Sequence, residues 1–245
     1  EQVSIGRFVV STHTMALAHQ LDQWLEKGGL TAEGFAEYVK NVKNRKNAEN
    51  NEEPKNAKHL EPTALPRRLM LRHRSHPALK DAKLIPALLD AARESDDENA
   101  WHDAQKIVTQ TLGKALDKDK IKLETYYALL MMDGDRMGAI LSGDKATHTA
   151  ISYRESFHPQ VRQGFDKHAK NHPLIERYGN QKRAISSNRH LAISGALNDF
   201  SQTVVRHLVE EEHLGRLIYA GGDDVLAILP VADLLTCMQR LRHAY

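Results

Sequence analysis

The sequence predicts an α+β chain: a mainly helical module over residues 1–120, then a domain of mixed strands and helices over residues 121–245. Three observations carry this. An apolar run from Tyr126 to Met132 stops abruptly at Asp133-Gly134-Asp135. A second pair of apolar runs, Leu217 to Ala220 and Val225 to Leu229, is joined by Gly221-Gly222-Asp223-Asp224, the pattern of a β-hairpin with two carboxylates at its tip. Between them, Ile193, Leu197, Phe200, Val204 and Leu208 recur every three or four residues, as on one face of a helix.

The helical module reads as follows. Ile5 to Val10 suggests one short strand, and Met15 to Leu25 a helix that Gly28-Gly29 ends. Lys40 to Lys58 is polar, with Asn44, Asn47, Asn50, Asn51 and Asn56 among the charges, and predicts an exposed loop or helix edge. Leu65, Leu69, Leu84, Ile85, Leu88 and Leu89 predict short packed helices broken near Pro66, Pro77 and Pro86. After the acidic run Asp96-Asp97-Glu98, a helix passes through Trp101, Ile107, Val108 and Leu112. The junction with the second domain falls near Lys118-Asp119-Lys120.

In the second domain, the unbroken apolar run before Asp133 predicts a buried central strand. On a regular strand Asp133 and Asp135 would share one face, with Gly134 leaving room for a phosphate or metal. Ser186-Ser187-Asn188 supplies helix caps, and Glu210-Glu211-Glu212 followed by Gly215 marks a helix end. Beyond Pro230, Leu234, Leu235, Met238 and Leu241 open a last amphipathic helix. The order strand, helix, hairpin, helix is most of a ferredoxin-like domain. It lacks at least one strand of that motif, so the domain is expected to be cut short at its C-terminal end, and the chain to be a fragment.

If the first strand lies beside the hairpin, Asp133, Asp135, Asp223 and Asp224 meet at one sheet edge. Carboxylates so gathered repel one another unless cations neutralise them, and all-oxygen ligands suit Mg²⁺ or Mn²⁺. Gly and Asp also build ordinary turns, so the tip gains its meaning from the second acidic site. Gly221 and Gly222 permit close backbone approach to a phosphate. Ser194 and Asn198, four apart on the intervening helix, face either a nucleotide or solvent.

Other signals are weaker. The net charge is only +2, so any nucleic-acid contact is local. The densest basic stretch is Arg67, Arg68, Arg72, His73, Arg74 and His76, with Lys40, Lys43, Arg45 and Lys46 next. Either strip could touch an RNA backbone or an acidic subunit, or be a solvated helix face. The 14 histidines show no ligand spacing, and His102-Asp103 alone does not make an HD nuclease site. The single cysteine, Cys237, sits in the last apolar helix pattern as a small buried residue. No apolar run reaches the roughly 20 residues of a membrane span, and no secretory signal opens the chain, so a cytoplasmic location is expected.

Three blocks together resemble a known family. Met132-Asp133-Gly134-Asp135-Arg136-Met137-Gly138, Ser187-Asn188-Arg189-His190-Leu191-Ala192-Ile193-Ser194-Gly195-Ala196-Leu197 and Tyr219-Ala220-Gly221-Gly222-Asp223-Asp224 resemble the Cas10 large subunit of type III CRISPR effector complexes, in its type III-B Cmr2 form. The resemblance covers most of residues 121–245 and, more loosely, Arg7-Phe8-Val9-Val10-Ser11-Thr12-His13-Thr14 and the stretch after it. It implies a palm domain related to nucleotidyl cyclases and polymerases. It also implies a GGDD site that makes cyclic oligoadenylates from ATP with Mg²⁺ or Mn²⁺ when guide RNA pairs with target RNA, alongside other effector subunits. Asp133 and Asp223 would be metal ligands. Asp224 would complete the site or help activate the attacking hydroxyl, and Asp135 would be a further contributor to the metal site. Two other readings stay open. One is a diguanylate-cyclase-like enzyme, although Asp223-Asp224 is followed by Val225 rather than an acidic-phenylalanine ending. The other is a structural subunit that binds nucleotide, RNA and partners without catalysis.

Overall fold

A computed structural model describes residues 10–49, 60–116, 121–135, 137–142, 151–183 and 185–245. The predicted strand before Val10, the asparagine-rich stretch after Glu49 and the junction at 118–120 lie outside the described residues. In chain order the helices α1 (Thr12–Ala16), α2 (Ala18–Glu26), α3 (Phe35–Glu49), α4 (Arg67–Arg72), α5 (Leu79–Arg93) and α6 (Glu98–Leu116) precede strand β1 (Tyr127–Met132). Helices α7 (Met137–Ser142), α8 (Pro159–Ala169), α9 (Pro173–Gly179) and α10 (Ser187–Asp199) follow. Strands β2 (Arg216–Gly221) and β3 (Asp224–Pro230) and helix α11 (Leu234–Ala244) complete the chain. The architecture is a helical module followed by a small, open, palm-like sheet domain, in keeping with part of a ferredoxin-like palm.

The chain divides into two compact units. The first joins α1–α6, most of β1, the stretch from Gln202 to Ala220, β3 after Asp224, and α11. Its core is built on α2, α5 and α6, where Leu21, Trp24, Leu25, Ile85, Leu88, Val108 and Leu112 are buried together with Leu214, just before β2. Ser11 caps α1 by accepting the Thr14 N–H at 3.0 Å. Gly28 and Gly29 end α2 with φ of +98° and +63°, angles that favour glycine. A Cβ at Gly29 would also lie 2.5 Å from that of Ala78.

Pro86 does not break its helix, since α5 continues to Arg93 around it. A mid-helix proline loosens the carbonyls of the preceding turn. Here the Lys83 carbonyl accepts both the N–H (3.0 Å) and the hydroxyl (3.1 Å) of Thr63, and the ring is buried. The carbonyl that loses its helical donor is Ala82, four residues before the proline, so the Thr63 bonds pin its neighbour while burial of the ring offsets part of the cost.

The sheet has the order β1-β3-β2. Val225, Ala227 and Leu229 alternate into the core from β3, the period-two pattern of a half-buried strand. β1 is an edge strand of these three rather than a central one, and it is not buried. Tyr127, Leu129 and Met131 share one exposed face, and Leu130 points the other way into the core. The run lacked polar residues because both of its faces are apolar, not because both are covered.

The segment from Phe200 to Val205, and again from Leu208 to Glu212, is wound as π-helix. A π-turn takes more residues than an α-turn, so the buried face shifts. Phe200, Val205, Leu208 and Val209 are buried, and Val204 is only half-buried. The winding also buries Glu210, which accepts the Leu217 N–H at 3.2 Å and pairs with Arg216 at 3.2 Å. Gly215 is needed where this segment turns into β2: a Cβ there would lie 2.9 Å from the Val209 carbonyl oxygen.

Asp233, before α11, ties the sheet to the helical module. It accepts the Leu214 N–H at 2.8 Å and pairs with His19 of α2 at 3.0 Å. The hydrogen bond to Asp233 lifts the His19 pKa above its ordinary 6.5 against the opposing effect of burial. Burial would raise the Asp233 carboxyl, but His19 and the Leu214 N–H outweigh it and hold the pKa below the ordinary 3.8. By linkage, the His19 contribution is fully present below pH 6.5 and is lost as pH rises through its raised value. The Asp233 contribution is present above pH 3.8 and is lost as pH falls through its depressed value. The pair is thus strongest between those limits. In urea denaturation, His19→Asn should cost about 1–2 kcal/mol near pH 5.5 and distinctly less near pH 8.5. An equal cost at both would contradict a charged pair.

Cys237 is buried on α11, and burial, with Asp233 and Glu212 nearby, pushes its thiol up to about 12. It is an inert core group. Among the described residues no helix is long and apolar enough to cross a membrane.

Candidate functional site

The second compact unit spans Met132 to Ser201 and the hairpin tip Gly221–Asp224. It therefore contains every residue singled out for chemistry. Strand β2 ends at Gly221 and β3 begins at Asp224, leaving Gly222-Asp223 as the turn. Gly222 has φ +64° and nothing within 4 Å of where a Cβ would stand. The turn conformation favours glycine there, and the space above it is open to a ligand.

β1 ends at Met132, so Asp133, Gly134 and Asp135 form the loop and turn after the strand. Lying beyond the strand, they do not follow its two-residue alternation of faces. What the fold does instead is bring the end of β1 to the start of β3, its neighbour in the sheet. The side chains of Asp133 and Asp224 come together there. Partial desolvation, then the nearby charges of Asp133 and Asp223, raise the Asp224 pKa above its ordinary 3.8, although the side chain is exposed. The tip is thus a site of concentrated negative potential.

Asp133, Asp223 and Asp224 interact, and Asp135, exposed in the next turn, is not among the groups that shift Asp224. Gly134 is buried between Asp133 and Asp135. Ser194 and Asn198 are both exposed on α10, where the Asn198 carbonyl accepts the Ser201 hydroxyl at 3.1 Å. No described contact links either to the carboxylates. Among the described residues, no group of three or more His, Cys, Asp or Glu side chains is arranged to hold a metal ion by itself.

Sequence reasoning offered Ser186 among the caps of α10 but missed the residues that hold α7 against it. Ser186, not Ser187 or Asn188, caps α10 by accepting the Arg189 N–H at 3.2 Å. Arg189 is buried and donates to the Ile140 carbonyl at 3.3 Å, and His190 meets the Leu141 carbonyl at 3.0 Å. Both carbonyls belong to the last turn of α7, where orphan acceptors and the helix dipole favour such donors. The signal available was Arg-His at the start of an otherwise mixed helix, which reads as surface until α7 is placed against it.

The densest basic strip is largely used inside the first unit. Arg67 pairs with Glu211 at 3.2 Å, and Arg68 donates to the Glu212 carbonyl. Asp22 takes Arg72 at 2.7 Å and His73 at 2.8 Å, and Arg72 also pairs with Glu26. This strip clamps α4 to its neighbours.

A hairpin tip and an adjacent strand end that gather carboxylates on an open sheet define a palm-like domain. Residues 126–245 match the family described as Cas10/Cmr2, second palm domain. That segment is a Cas10/Cmr2-family palm domain, consistent with a type III CRISPR Cmr2-like subunit. The chain is 42% identical over 120 residues to a Pyrococcus furiosus protein named CRISPR system Cmr subunit Cmr2, a match that covers 49% of this chain and 12% of that one. A Saccharolobus solfataricus protein of similar name is 43% identical over 56 residues, 23% of this chain and 5% of that one. The chain thus aligns with only a small part of the curated relatives it matches.

Proposed function

We propose that this palm transfers adenylyl groups between ATP molecules to make cyclic oligoadenylates, as a subunit of an RNA-guided type III CRISPR effector in which guide and target RNA meet. The observation that carries this reading is that the end of β1, with Asp133, lies beside the hairpin tip that holds Asp223 and Asp224, because β1 and β3 are neighbours in the sheet. A structural hairpin gains nothing from bringing carboxylates into mutual repulsion, whereas a polyphosphate site held by cations does.

The donor set fits Mg²⁺ or Mn²⁺. Magnesium is commonly held by one or two carboxylates, with water and substrate phosphates completing its shell. A pair such as Asp133 and Asp224, with Asp223 beside it, therefore suffices without a closed three-carboxylate cage. Such ions, when bound, lower the pKa of the attacking hydroxyl and neutralise charge on the phosphoryl oxygens. Asp133 and Asp223 hold the cations, while Asp224 completes the site or orients the hydroxyl. Gly221 and Gly222 let backbone N–H groups approach the phosphates. On this reading Asp135 adds a further carboxylate to the metal site, and Gly134, Ser194 and Asn198 belong to the nucleotide's surroundings. In the reaction, a 3′-hydroxyl oxygen of one ATP bonds to the α-phosphorus of another, the bond to pyrophosphate breaks, and the hydroxyl proton leaves.

A second reading is a subunit that binds nucleotide and RNA without catalysis. One experiment separates these readings from the diguanylate-cyclase-like alternative. The protein, assembled with guide RNA and partner subunits, is incubated with ATP or GTP and Mg²⁺ or Mn²⁺, with and without target RNA. Cyclic oligoadenylate that depends on target RNA supports the proposal. A guanylate product supports the cyclase alternative, and no product from an assembled, ATP-binding complex supports the structural one.

A further inference from the structure

Between α7 and α10 the chain builds a small structure over residues 151–183. Ser152 and Lys182 form an isolated bridge that closes it, and the Tyr153 N–H donates to the Gln181 carbonyl at 3.0 Å. Inside, the Phe157 and Phe165 rings pack at 5.2 Å. A Cβ at Gly179 would lie 2.6 Å from the Phe165 ring, so α9 closes tightly on α8. None of this packing serves the carboxylate site.

Its outer surface is distinctive in charge and shape. The segment holds seven Lys and Arg residues against three Asp and Glu. Two of the acids are taken up locally. Asp166 pairs with Arg154 at 2.8 Å, and Glu155 accepts the Ser152 N–H at 2.7 Å and its hydroxyl at 2.8 Å. Lys167, Lys170, Arg177 and Lys182 remain exposed. Among them Tyr178 stacks on Tyr153 at 4.7 Å and 20° while keeping 49% of its surface exposed. A stacked, exposed ring flanked by cations is what a single-stranded polynucleotide needs, the ring for a base and the cations for phosphates. An acidic protein surface would use the cations but would gain little from the ring. The Arg67–His73 strip, by contrast, is occupied by internal pairs.

We propose that the 151–183 structure binds single-stranded nucleic acid, with a base on Tyr178 and phosphates on Arg177 and Lys182, and with Lys167 and Lys170 extending the track along α8. This goes beyond nucleotidyl transfer and does not depend on it. Binding by the Asp223→Ala/Asp224→Ala variant should match the parent, so this proposal and the catalytic one fail separately.

The test is fluorescence anisotropy of the full chain with a labelled oligouridylate of about 20 nucleotides, long enough to exceed common site sizes. Tyr178→Ala should weaken binding roughly 5- to 100-fold, and Tyr178→Phe should stay within about twofold, since the ring face is kept. Arg177→Ala/Lys182→Ala should make the slope of log K against log salt shallower by about 1.4. If Tyr178→Ala loosens the module, seen as lost near-ultraviolet dichroism, Arg177→Glu/Lys182→Glu decides the matter: unchanged affinity overturns the proposal. It is also overturned if polyglutamate competes as well as oligouridylate while Tyr178→Ala has no effect, which would mark an acidic-protein surface.

Discussion

Replacing Asp223 and Asp224 together by alanine should reduce product formation by at least roughly 10³-fold in the assembled complex, the scale on which removing stabilisation of phosphoryl charge acts. Folding should hardly change. Asp224 is exposed and Asp223 half-buried, and removing mutually repelling carboxylates should leave stability within about 0.5 kcal/mol. The decisive pattern is lost turnover with an unchanged urea midpoint. Asp133→Ala should act in the same direction, because Asp133 is the group that meets Asp224 across the sheet edge. Asp135→Ala should have the smallest effect of the four.

The largest stability effect should come from Trp24→Ala. Its side chain is fully buried among α2, α5 and α6, and its indole N–H donates to the Leu30 carbonyl at 3.0 Å. Emptying such a site costs about 3–5 kcal/mol, a large share of the roughly 5–15 kcal/mol that holds a typical domain. Leu214, just before β2, belongs to the same core, and Asp233 joins His19 to the Leu214 N–H. The loss should therefore lower a single cooperative transition in which helices and sheet unfold together. Two transitions, with only the helical one shifted, would show that the sheet stands independently.

The features most legible in the sequence were local ones. Gly221-Gly222-Asp223-Asp224 between two short apolar runs identified the hairpin and its carboxylate tip, because turn chemistry and alternation act over a few residues. The helical character of the first half and the stop at Gly28-Gly29 were legible for the same reason. What depended on distant partners was not. Tyr126 to Met132 reads as a buried strand, yet whether Leu129 and Met131 are covered is decided by what packs over that face. Glu210 looks like surface charge until the π-winding turns it toward Arg216 and the Leu217 N–H. Pro86 looks like a break until its ring is seen to be buried within a continuous α5. Arg67, Arg72 and His73 look like a nucleic-acid strip until Glu211 and Asp22 are brought beside them. At the site itself, the meeting of Asp133 with Asp224 follows from strand order, while the anchoring of α7 by Arg189 and His190 depends on tertiary placement.

The proposed function requires the carboxylates at the hairpin tip to hold a divalent cation against a nucleoside triphosphate. The most direct measurement is Mn²⁺ binding to the full chain by electron paramagnetic resonance, with and without ATP, in the parent and in Asp223→Ala/Asp224→Ala. Binding of Mn²⁺ that strengthens when ATP is present, and that disappears in the variant, is the predicted result. Equal Mn²⁺ binding in both proteins, or none in a folded parent saturated with ATP, would contradict it.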